Sequence, residues 1–191
     1  MTKLYLVRHA LPQYQDTTDR HRALTPEGYR DSEEMSRELI DVSLDYAVSS
    51  PYARAVQTIE RCAEGHNLLI YTDERLKERK SGPCGNNLEG FRRRWEDFDY
   101  CEEGGECLRD VQNRNIRAVS DLLRFHSGEN ILVGTHGTAM STILNYYIPE
   151  FNCDEFLRII DFMPYVVALS FEGERFCGLE ELFIRKKEYV Q

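Results

Sequence analysis

The sequence lacks the close cysteine and histidine pairs that usually bind metal ions. None of the six cysteines forms a C-x-x-C pair, and the five histidines form no H-E-x-x-H cluster. The cysteines are scattered along the chain at Cys62, Cys84, Cys101, Cys107, Cys153 and Cys177. We therefore predict reduced thiols, no built-in metal site and no cofactor.

An excess of basic residues is missing as well. Lysine and arginine together number 24 against 33 aspartates and glutamates, so the formal net charge is −9. An electrostatic field of this sign repels nucleic acids and anionic membrane surfaces. We expect neither as a partner, and an anionic substrate would have to bind in a locally positive pocket.

No apolar stretch is long enough for a secretory signal or a membrane span. The apolar run 4–7 near the N-terminus is short and is followed at once by charged residues. We expect a cytosolic protein, and the sequence leaves the oligomeric state open.

Repeats, linkers and low-complexity tracts are also absent. The 191 residues are 41% hydrophobic and 30% charged, which is ordinary for a chain that buries one core. We predict a single domain over residues 1–191. Glycine, proline, serine and asparagine interrupt the pattern after residue 77, and a possible insertion or lid is expected around 78–106.

Short apolar runs alternate with amphipathic helical segments over about the first 150 residues. The runs that predict strands are 4–7, 44–49, 68–72 and 131–135, and two further runs at 165–171 and 176–184 predict a hairpin at the edge of the sheet. Helices are predicted from Thr25-Pro26 to near Asp41, from Ser50-Pro51, over 106–125, and over 138–147. The alternation predicts an α/β fold, a three-layer α/β/α sandwich with a mostly parallel central sheet.

Polar residues follow two of the predicted strands directly. Arg8 and His9 follow the first strand, and His136 and Gly137 follow the strand that ends at Thr135. Ligands of open α/β sheets bind outside the carboxyl ends of the strands, so we expect the two histidines to converge. A neutral imidazole is a competent nucleophile at phosphorus, and a neighbouring arginine both disfavours the imidazolium and matches phosphate oxygens.

Each of these residues also has an ordinary structural interpretation. A lone His9 would more often be a strand-end histidine with one hydrogen bond, and Arg54 is either a solvated residue or a phosphate ligand in the first turn of its helix. Gly137 lets the backbone approach a ligand at a helix N-terminus, which is a natural anion site. The combination favours a phosphate site.

Four segments, in this order along the chain, resemble the histidine phosphatase superfamily, the phosphoglycerate-mutase-like enzymes. They are Leu-Val-Arg-His-Ala at 6–10, Ser-Ser-Pro-Tyr-Ala-Arg-Ala-Val-Gln-Thr at 49–58, Leu-Lys-Glu-Arg at 76–79 and Gly-Thr-His-Gly at 134–137. Supporting stretches at 24–28 and 105–108 extend the resemblance over most of the chain, from Leu4 to about Leu144. Any one segment is weak evidence, but four in order with matching strand and helix context are specific.

The resemblance implies both a fold and a mechanism. The fold would be that of the phosphoglycerate mutases. His9 would accept the phosphoryl group, Arg8, Arg54 and His136 would bind the phosphate, and Glu78 would protonate the leaving oxygen. Water would then attack the phosphohistidine, with the Glu78 carboxylate acting as base.

Further substrate-binding candidates come from places where the chain follows or departs from the family pattern. Ala10 replaces the usual glycine, and Gln15 supplies an amide near the place where mutases carry an asparagine. Glu78-Arg79 echoes a mutase motif, but Lys80-Ser81 replaces its His-Tyr. Beside the phosphate ligands, the substrate-binding candidates are Gly137, Gln15 and Arg79.

The leading hypothesis is a phosphatase that hydrolyses a small phosphorylated metabolite. The chain is shorter than the cofactor-dependent mutases and lacks their long insertion, which favours hydrolysis over phosphoryl transfer. The alternatives are a phosphoglycerate mutase and a non-catalytic module that binds a phosphorylated ligand. The basic run 92–94 is either a solvated helix face or a recognition element for a second negative group on the substrate.

Overall fold

The computed structural model describes residues 1–16, 18–83 and 86–188. Cys84, one of the predicted thiols, lies outside these ranges. Within them, no helix combines the length and the apolar character that crossing a bilayer requires.

The described residues form one six-stranded sheet with helices between the strands. The strands are β1 (Thr2–Arg8), β2 (Tyr46–Ser49), β3 (Ile70–Thr72), β4 (Asn130–Thr135), β5 (Phe162–Glu172) and β6 (Arg175–Lys186). The helices are α1 (Pro26–Glu38), α2 (Ala53–Gly65), α3 (Leu88–Glu96), α4 (Leu108–Phe125), α5 (Gly137–Tyr147) and α6 (Cys153–Arg158). The strand order is β3-β2-β4-β1-β5-β6.

The sheet is mostly parallel, as predicted. Strands β3, β2, β4 and β1 pair in parallel, whereas β5 pairs antiparallel with both β1 and β6. The predicted hairpin is confirmed, and β6 forms one edge of the sheet.

Side chains of β1 alternate between two hydrophobic clusters. Leu4 and Leu6 pack in the cluster that includes Ala118, Val119 and Leu123 of α4 together with Met140, Ile143 and Leu144 of α5. Tyr5 and Val7 point the other way, into the cluster built on α1 and α2. Successive strand residues face opposite sides of a sheet, so the two clusters are its two covered faces. The predicted three-layer α/β/α arrangement is confirmed.

Helix α1 begins as the sequence indicates and ends earlier. The Thr25 hydroxyl caps it by accepting a hydrogen bond from the backbone N–H of Gly28, and Pro26 occupies the first turn. The helix ends at Glu38 rather than near Asp41.

The predicted start of the next helix was two residues too early. Helix α2 begins at Ala53, with no side-chain hydrogen bond from its N-cap residue Tyr52. Ser50, the expected cap, instead places its hydroxyl 2.7 Å from His136 Nε2.

Helices α3 and α6 were not predicted as separate elements, because each is short. Aromatic contacts join them: the Phe91 ring lies 5.1 Å from the Phe156 ring, and the Trp95 ring lies 5.6 Å from it, measured between centroids. This packing fixes α3, and with it part of the segment 78–106, against the body of the fold.

Candidate active site

Strands β1 and β4 bring the two histidines together. Arg8 pairs with Thr135 at the carboxyl ends of the two parallel strands, and the backbone N–H of His9 donates to the Thr135 carbonyl at 3.1 Å. The rings of His9 and His136 lie edge to face with their centroids 5.2 Å apart. Residues separated by more than 120 positions thus share one site, as the sheet topology leads us to expect.

The His9 ring is held in one tautomer. Its Nδ1 lies 2.8 Å from the Ala10 carbonyl oxygen, which can only accept, so Nδ1 carries the proton and donates. Burial, together with the positive charges of Arg54, Arg8 and Arg22, lowers the pKa of His9 well below its usual range. The ring is therefore neutral, and Nε2 has a lone pair available for attack.

Ala10, which replaces the family's usual glycine, fits this geometry without strain. Its side chain is fully buried, and its backbone N–H donates to Thr58 Oγ1 at 2.9 Å. Among the described residues, Asn67 is the one non-glycine residue with a positive φ. Ala10 therefore holds a backbone conformation open to any residue.

His136 is fully buried and is also neutral. Burial and the charge of Arg54 lower its pKa well below the usual range. Its Nε2 contacts the Ser50 hydroxyl, while Nδ1 is buried and has no hydrogen-bond partner among the described residues. If Ser50 donates to Nε2, Nδ1 carries the proton, and an oxyanion would complete its pairing.

Arg8 is fixed against the start of α5 and the end of α6. It donates to the carbonyl oxygens of Ile159 at 2.6 Å and Ile160 at 2.9 Å. The guanidinium lies so close to Gly137 that a Cβ atom added there would be 3.2 Å from Arg8 Cζ. Gly137 thus permits the close approach of Arg8 rather than merely freeing the backbone.

Arg54 projects from the first turn of α2 and is almost fully buried. It donates to the Asp19 carbonyl at 2.6 Å and pairs with the Asp19 carboxylate at 3.0 Å. Arg22 approaches the same carboxylate at 3.5 Å. The loop before α1 therefore supplies Asp19, which orients Arg54. It also supplies Arg22, which adds a second positive charge beside Arg54.

Glu78 lies at the N-terminus of α5. Its carboxylate accepts hydrogen bonds from the backbone N–H groups of Thr138 at 3.1 Å and Ala139 at 3.2 Å, and from that of Arg79 at 2.8 Å. Three backbone donors on two chain segments fix the position of this carboxylate. The predicted acid is thereby held beside the helix start that carries Gly137.

A cavity of about 700 Å³ opens over these residues. Of the predicted site residues, the set in its lining is Arg8, His9, Arg54, Glu78, Arg79 and Gly137. His136 is buried beneath it, in contact with the His9 ring. The structure therefore gathers the predicted nucleophile, phosphate ligands and acid at one opening.

Gln15 does not belong to this group. Its side chain is exposed, and it lies outside the set of described residues that line the cavity. Substrate binding by its amide therefore stays a prediction. The neighbouring Tyr14 and Arg22 face the cavity instead.

Arg79 lines the cavity, but its guanidinium is turned to protein groups. It pairs with Glu102 at 3.2 Å and donates to the Glu106 carbonyl at 3.1 Å and to Asn86 Oδ1 at 3.2 Å. Arg94 pairs with the same Glu102 carboxylate. Protein acceptors therefore occupy these donors, and direct contact of Arg79 with a substrate stays a prediction.

The basic run 92–94 divides between surface and interior. Arg92 and Arg93 are exposed, whereas Arg94 is 2% exposed and shares Glu102 with Arg79. Burial and the like charge of Arg79 lower the pKa of Arg94. Neither sequence interpretation covered this outcome, because helical spacing alone did not show that one of three adjacent arginines faces inward.

The charged residues in the cavity lining leave a positive surplus. Five are basic (Arg8, Arg22, Arg54, Arg79 and Lys80) and two are acidic (Asp19 and Glu78), which gives 5 − 2 = +3. The acidic chain as a whole carries −9. A locally positive pocket, which the sequence required for an anionic substrate, is therefore present. Among the described residues, no three His, Cys, Asp or Glu side chains group as a metal site would require.

Several cavity residues were missed in the sequence. Asp19, Arg22 and Asn86 lie in loops, where no periodicity marks the residues that turn inward. Ser50 was interpreted as a helix cap. Arg114 lies on α4 and contacts the segment that ends at Glu78. No helical pattern in the sequence reveals these contacts.

Comparisons with known proteins identify the family of the chain. Residues 4–177 match the sequence model of the histidine phosphatase superfamily, branch 1. Phosphoserine phosphatase 1 of Hydrogenobacter thermophilus is 29% identical over 154 residues, which cover 73% of each chain. The uncharacterized phosphatase PhoE of Bacillus subtilis is 29% identical over 151 residues, covering 75% of this chain and 76% of PhoE.

Two further matches extend the comparison. The probable phosphoglycerate mutase GpmB of Salmonella choleraesuis is 26% identical over 161 residues, covering 76% of this chain and 74% of GpmB. Among solved structures, Bacillus stearothermophilus YhfR superposes with a TM-score of 0.75 at 26% identity, covering 100% of this chain and 98% of YhfR.

Proposed function

The chain belongs to the histidine phosphatase superfamily, branch 1, and we propose that it is a phosphatase that hydrolyses a small phosphorylated metabolite through a phosphohistidine formed on His9. The observation that carries the proposal is the His9 ring. It is neutral, fixed in one tautomer by Ala10, and lies among three arginines at the base of a positive cavity.

In the first step the Nε2 lone pair of His9 attacks phosphorus and the ester P–O bond breaks. Arg8, Arg54 and the Nδ1–H of His136 bind the non-bridging oxygens, whose charge they match. Glu78 gives its proton to the leaving oxygen, which departs as an alcohol. The products of this step are phosphohistidine, the alcohol and the Glu78 carboxylate.

In the second step water attacks the phosphorus of the phosphohistidine. The Glu78 carboxylate takes a proton from that water, and the P–N bond breaks. Inorganic phosphate leaves, His9 is neutral again, and Glu78 is protonated for the next turnover. Over the two steps, protons and charge balance without a further reactant.

The cavity supports a small anionic substrate. Tyr14, Tyr52, Phe91 and Phe156 contribute rings to its wall, and Arg22 and Lys80 add positive charge beyond the groups assigned to the phosphate. We propose that the segment 78–106 acts as an insertion over the site within a single catalytic domain. A cytosolic location stays a prediction from composition.

Two other functions remain as outcomes of experiment. A mutase would return the phosphoryl group to a second hydroxyl of phosphoglycerate, and the likeness to the probable mutase GpmB motivates that test. Exchanged phosphoglycerate without free phosphate would favour the mutase. A wild-type protein that binds vanadate but turns over no phosphomonoester would favour a binding module.

The direct test replaces His9 by alanine and measures hydrolysis of p-nitrophenyl phosphate. We expect turnover to fall by about a thousandfold or more, the scale of loss when a nucleophile is removed. His126→Ala is the matched control, because His126 caps the end of α4 and is absent from the described lining of the cavity. Undiminished turnover by a correctly folded His9→Ala variant would falsify the proposal.

A further inference from the structure

We propose that Arg114 is a positioning residue for the general acid Glu78, an inference that rests on the proposed function of Glu78. Arg114 lies in α4, outside the described cavity lining and 36 positions from Glu78. Its helical spacing does not distinguish it from the other arginines of this helix, but its hydrogen bonds do.

The Arg114 guanidinium binds three backbone carbonyls of the segment that ends at Glu78. Nη1 donates to the carbonyls of Arg75 at 2.6 Å and Lys77 at 2.7 Å, and Nη2 donates to the carbonyl of Glu78 itself at 3.2 Å. The intervening Leu76 carbonyl accepts from Thr135 Oγ1 at 3.2 Å. All four consecutive carbonyls are therefore bound by side chains from the body of the fold.

Glu106 holds the guanidinium in its place. Its carboxylate accepts from Arg114 Nε at 2.7 Å and from Nη2 at 2.9 Å, a two-point pairing that fixes the plane of the fork. Both side chains are largely shielded, at 15% and 18% exposed. The backbone of Glu106 also accepts from Arg79 and donates to the Lys80 carbonyl, so the same residue continues the support past Glu78.

The two sets of contacts act on opposite ends of Glu78. Backbone donors of α5 and Arg79 fix its carboxylate, while Arg114 fixes the main chain from which the side chain projects. A general acid must lie within hydrogen-bond reach of the leaving oxygen, and displacements of about 1 Å can cost about a hundredfold in rate. Loss of Arg114 would let the 75–78 segment move and carry the carboxylate out of reach.

A lysine at position 114 could not make the same set of hydrogen bonds. Its ammonium is a point charge that can pair with Glu106, but it lacks the planar fork that spans three carbonyls and a carboxylate at once. Arg114→Lys therefore separates the charge of the residue from its geometry.

The test compares kcat/KM for substrates whose leaving groups differ in their need for a proton, because kcat/KM reports formation of the phosphohistidine and not its hydrolysis. p-Nitrophenolate leaves without assistance, whereas an alkoxide requires the acid. We expect Arg114→Lys to reduce kcat/KM on a simple alkyl phosphate by about a hundredfold and on p-nitrophenyl phosphate by less than about tenfold. Glu78→Gln gives the same selective pattern in kcat/KM at its full size, while kcat falls on both substrates because Glu78 also serves as the base in the second step.

Arg109→Ala is the matched control, because Arg109 lies on the same helix in an exposed ion pair with Asp99. It should leave both substrates unaffected. Glu106→Gln is a second variant that tests the same inference, because it keeps Arg114 and weakens the ion pair that holds it. We expect a smaller loss of activity on the alkyl phosphate, with the same selectivity between substrates. This variant serves as the test even if Arg114→Lys folds poorly.

The outcomes separate this inference from the proposed function. An equal loss on both substrates in Arg114→Lys and Glu106→Gln, beside a selective loss in Glu78→Gln, would make Arg114 a purely structural residue and overturn the inference alone. Absence of selectivity in Glu78→Gln would remove Glu78 as the acid, and the inference would fall with it. The role of His9 is tested independently by its own variant.

Discussion

Two neutral histidines beneath a cluster of arginines form the proposed chemical centre of this protein. A histidine exposed to water binds a proton near pH 6.5, but burial and nearby positive charge keep His9 and His136 neutral below that value. For His9 this preserves the lone pair on Nε2. Because the two rings are kept neutral only in the folded protein, their protonation is linked to the free energy of unfolding.

The coupling predicts a loss of stability in acid. In the unfolded chain both histidines bind protons as the pH falls through about 6.5, while in the folded protein they do not, so protonation favours unfolding. Each ring should cost about 1.4 kcal/mol at pH 5.5 relative to neutral pH. The measurement is the free energy of unfolding in urea at about pH 7.5 and 5.5 for the wild type, His9→Gln and His136→Gln.

Each glutamine variant removes one buried titrating group and should show a shallower fall in stability with acid than the wild type. Variants that lose as much stability as the wild type between the two pH values would show that the buried rings do take up protons in the folded state. That result would also remove the argument for a lone pair on Nε2.

At the scale of elements, the start of α5 and the described residues of the segment 78–106 both line the cavity. Helix α5 supplies Gly137 and the backbone donors to Glu78. The facing segment supplies Arg79 and Arg94, which share Glu102 in a buried cluster of two guanidinium groups and one carboxylate. This cluster anchors α3 to the chain beside Glu78.

The cluster predicts a strong dependence on its single carboxylate. Glu102→Gln would leave two buried guanidinium groups without their counter-charge, and breaking a buried pair in this way costs about 3 kcal/mol. We expect a loss of that order in the free energy of unfolding in urea. Asp99→Asn, which removes one partner of the exposed pair with Arg109 in the same segment, should cause no measurable loss.

A Glu102→Gln variant as stable as Asp99→Asn would mean that water reaches the two arginines freely. The segment would then be held by the aromatic contacts of Phe91 and Trp95 rather than by charge.

Sequence reasoning succeeded where a regular pattern determines position. Apolar runs located the parallel strands, and their carboxyl ends placed His9 and His136 in one site. It failed in loops, where Asp19 and Arg22 line the cavity without any periodic signal. Long-range contacts such as those of Arg114 depend on how elements meet, which local pattern does not encode.

At the scale of the whole molecule, the chain is acidic but carries a cluster of positive charge at the carboxyl ends of its parallel strands. The overall charge of −9 and the surplus of +3 in the cavity lining have opposite signs, so an anion is drawn to this opening rather than to the rest of the surface. The chain belongs to the histidine phosphatase superfamily, and we propose that its phosphoryl chemistry takes place there. The central claim is that this chemistry passes through His9.

Trapping the phosphoenzyme tests that claim most directly. Enzyme in excess is mixed with ³²P-labelled p-nitrophenyl phosphate, quenched in alkali within one turnover, and mapped by peptide. We predict an acid-labile, alkali-stable label on Nε2 of His9, because Nδ1 donates to the Ala10 carbonyl. Active enzyme that carries no label, or carries it on another residue or on Nδ1, would contradict the account.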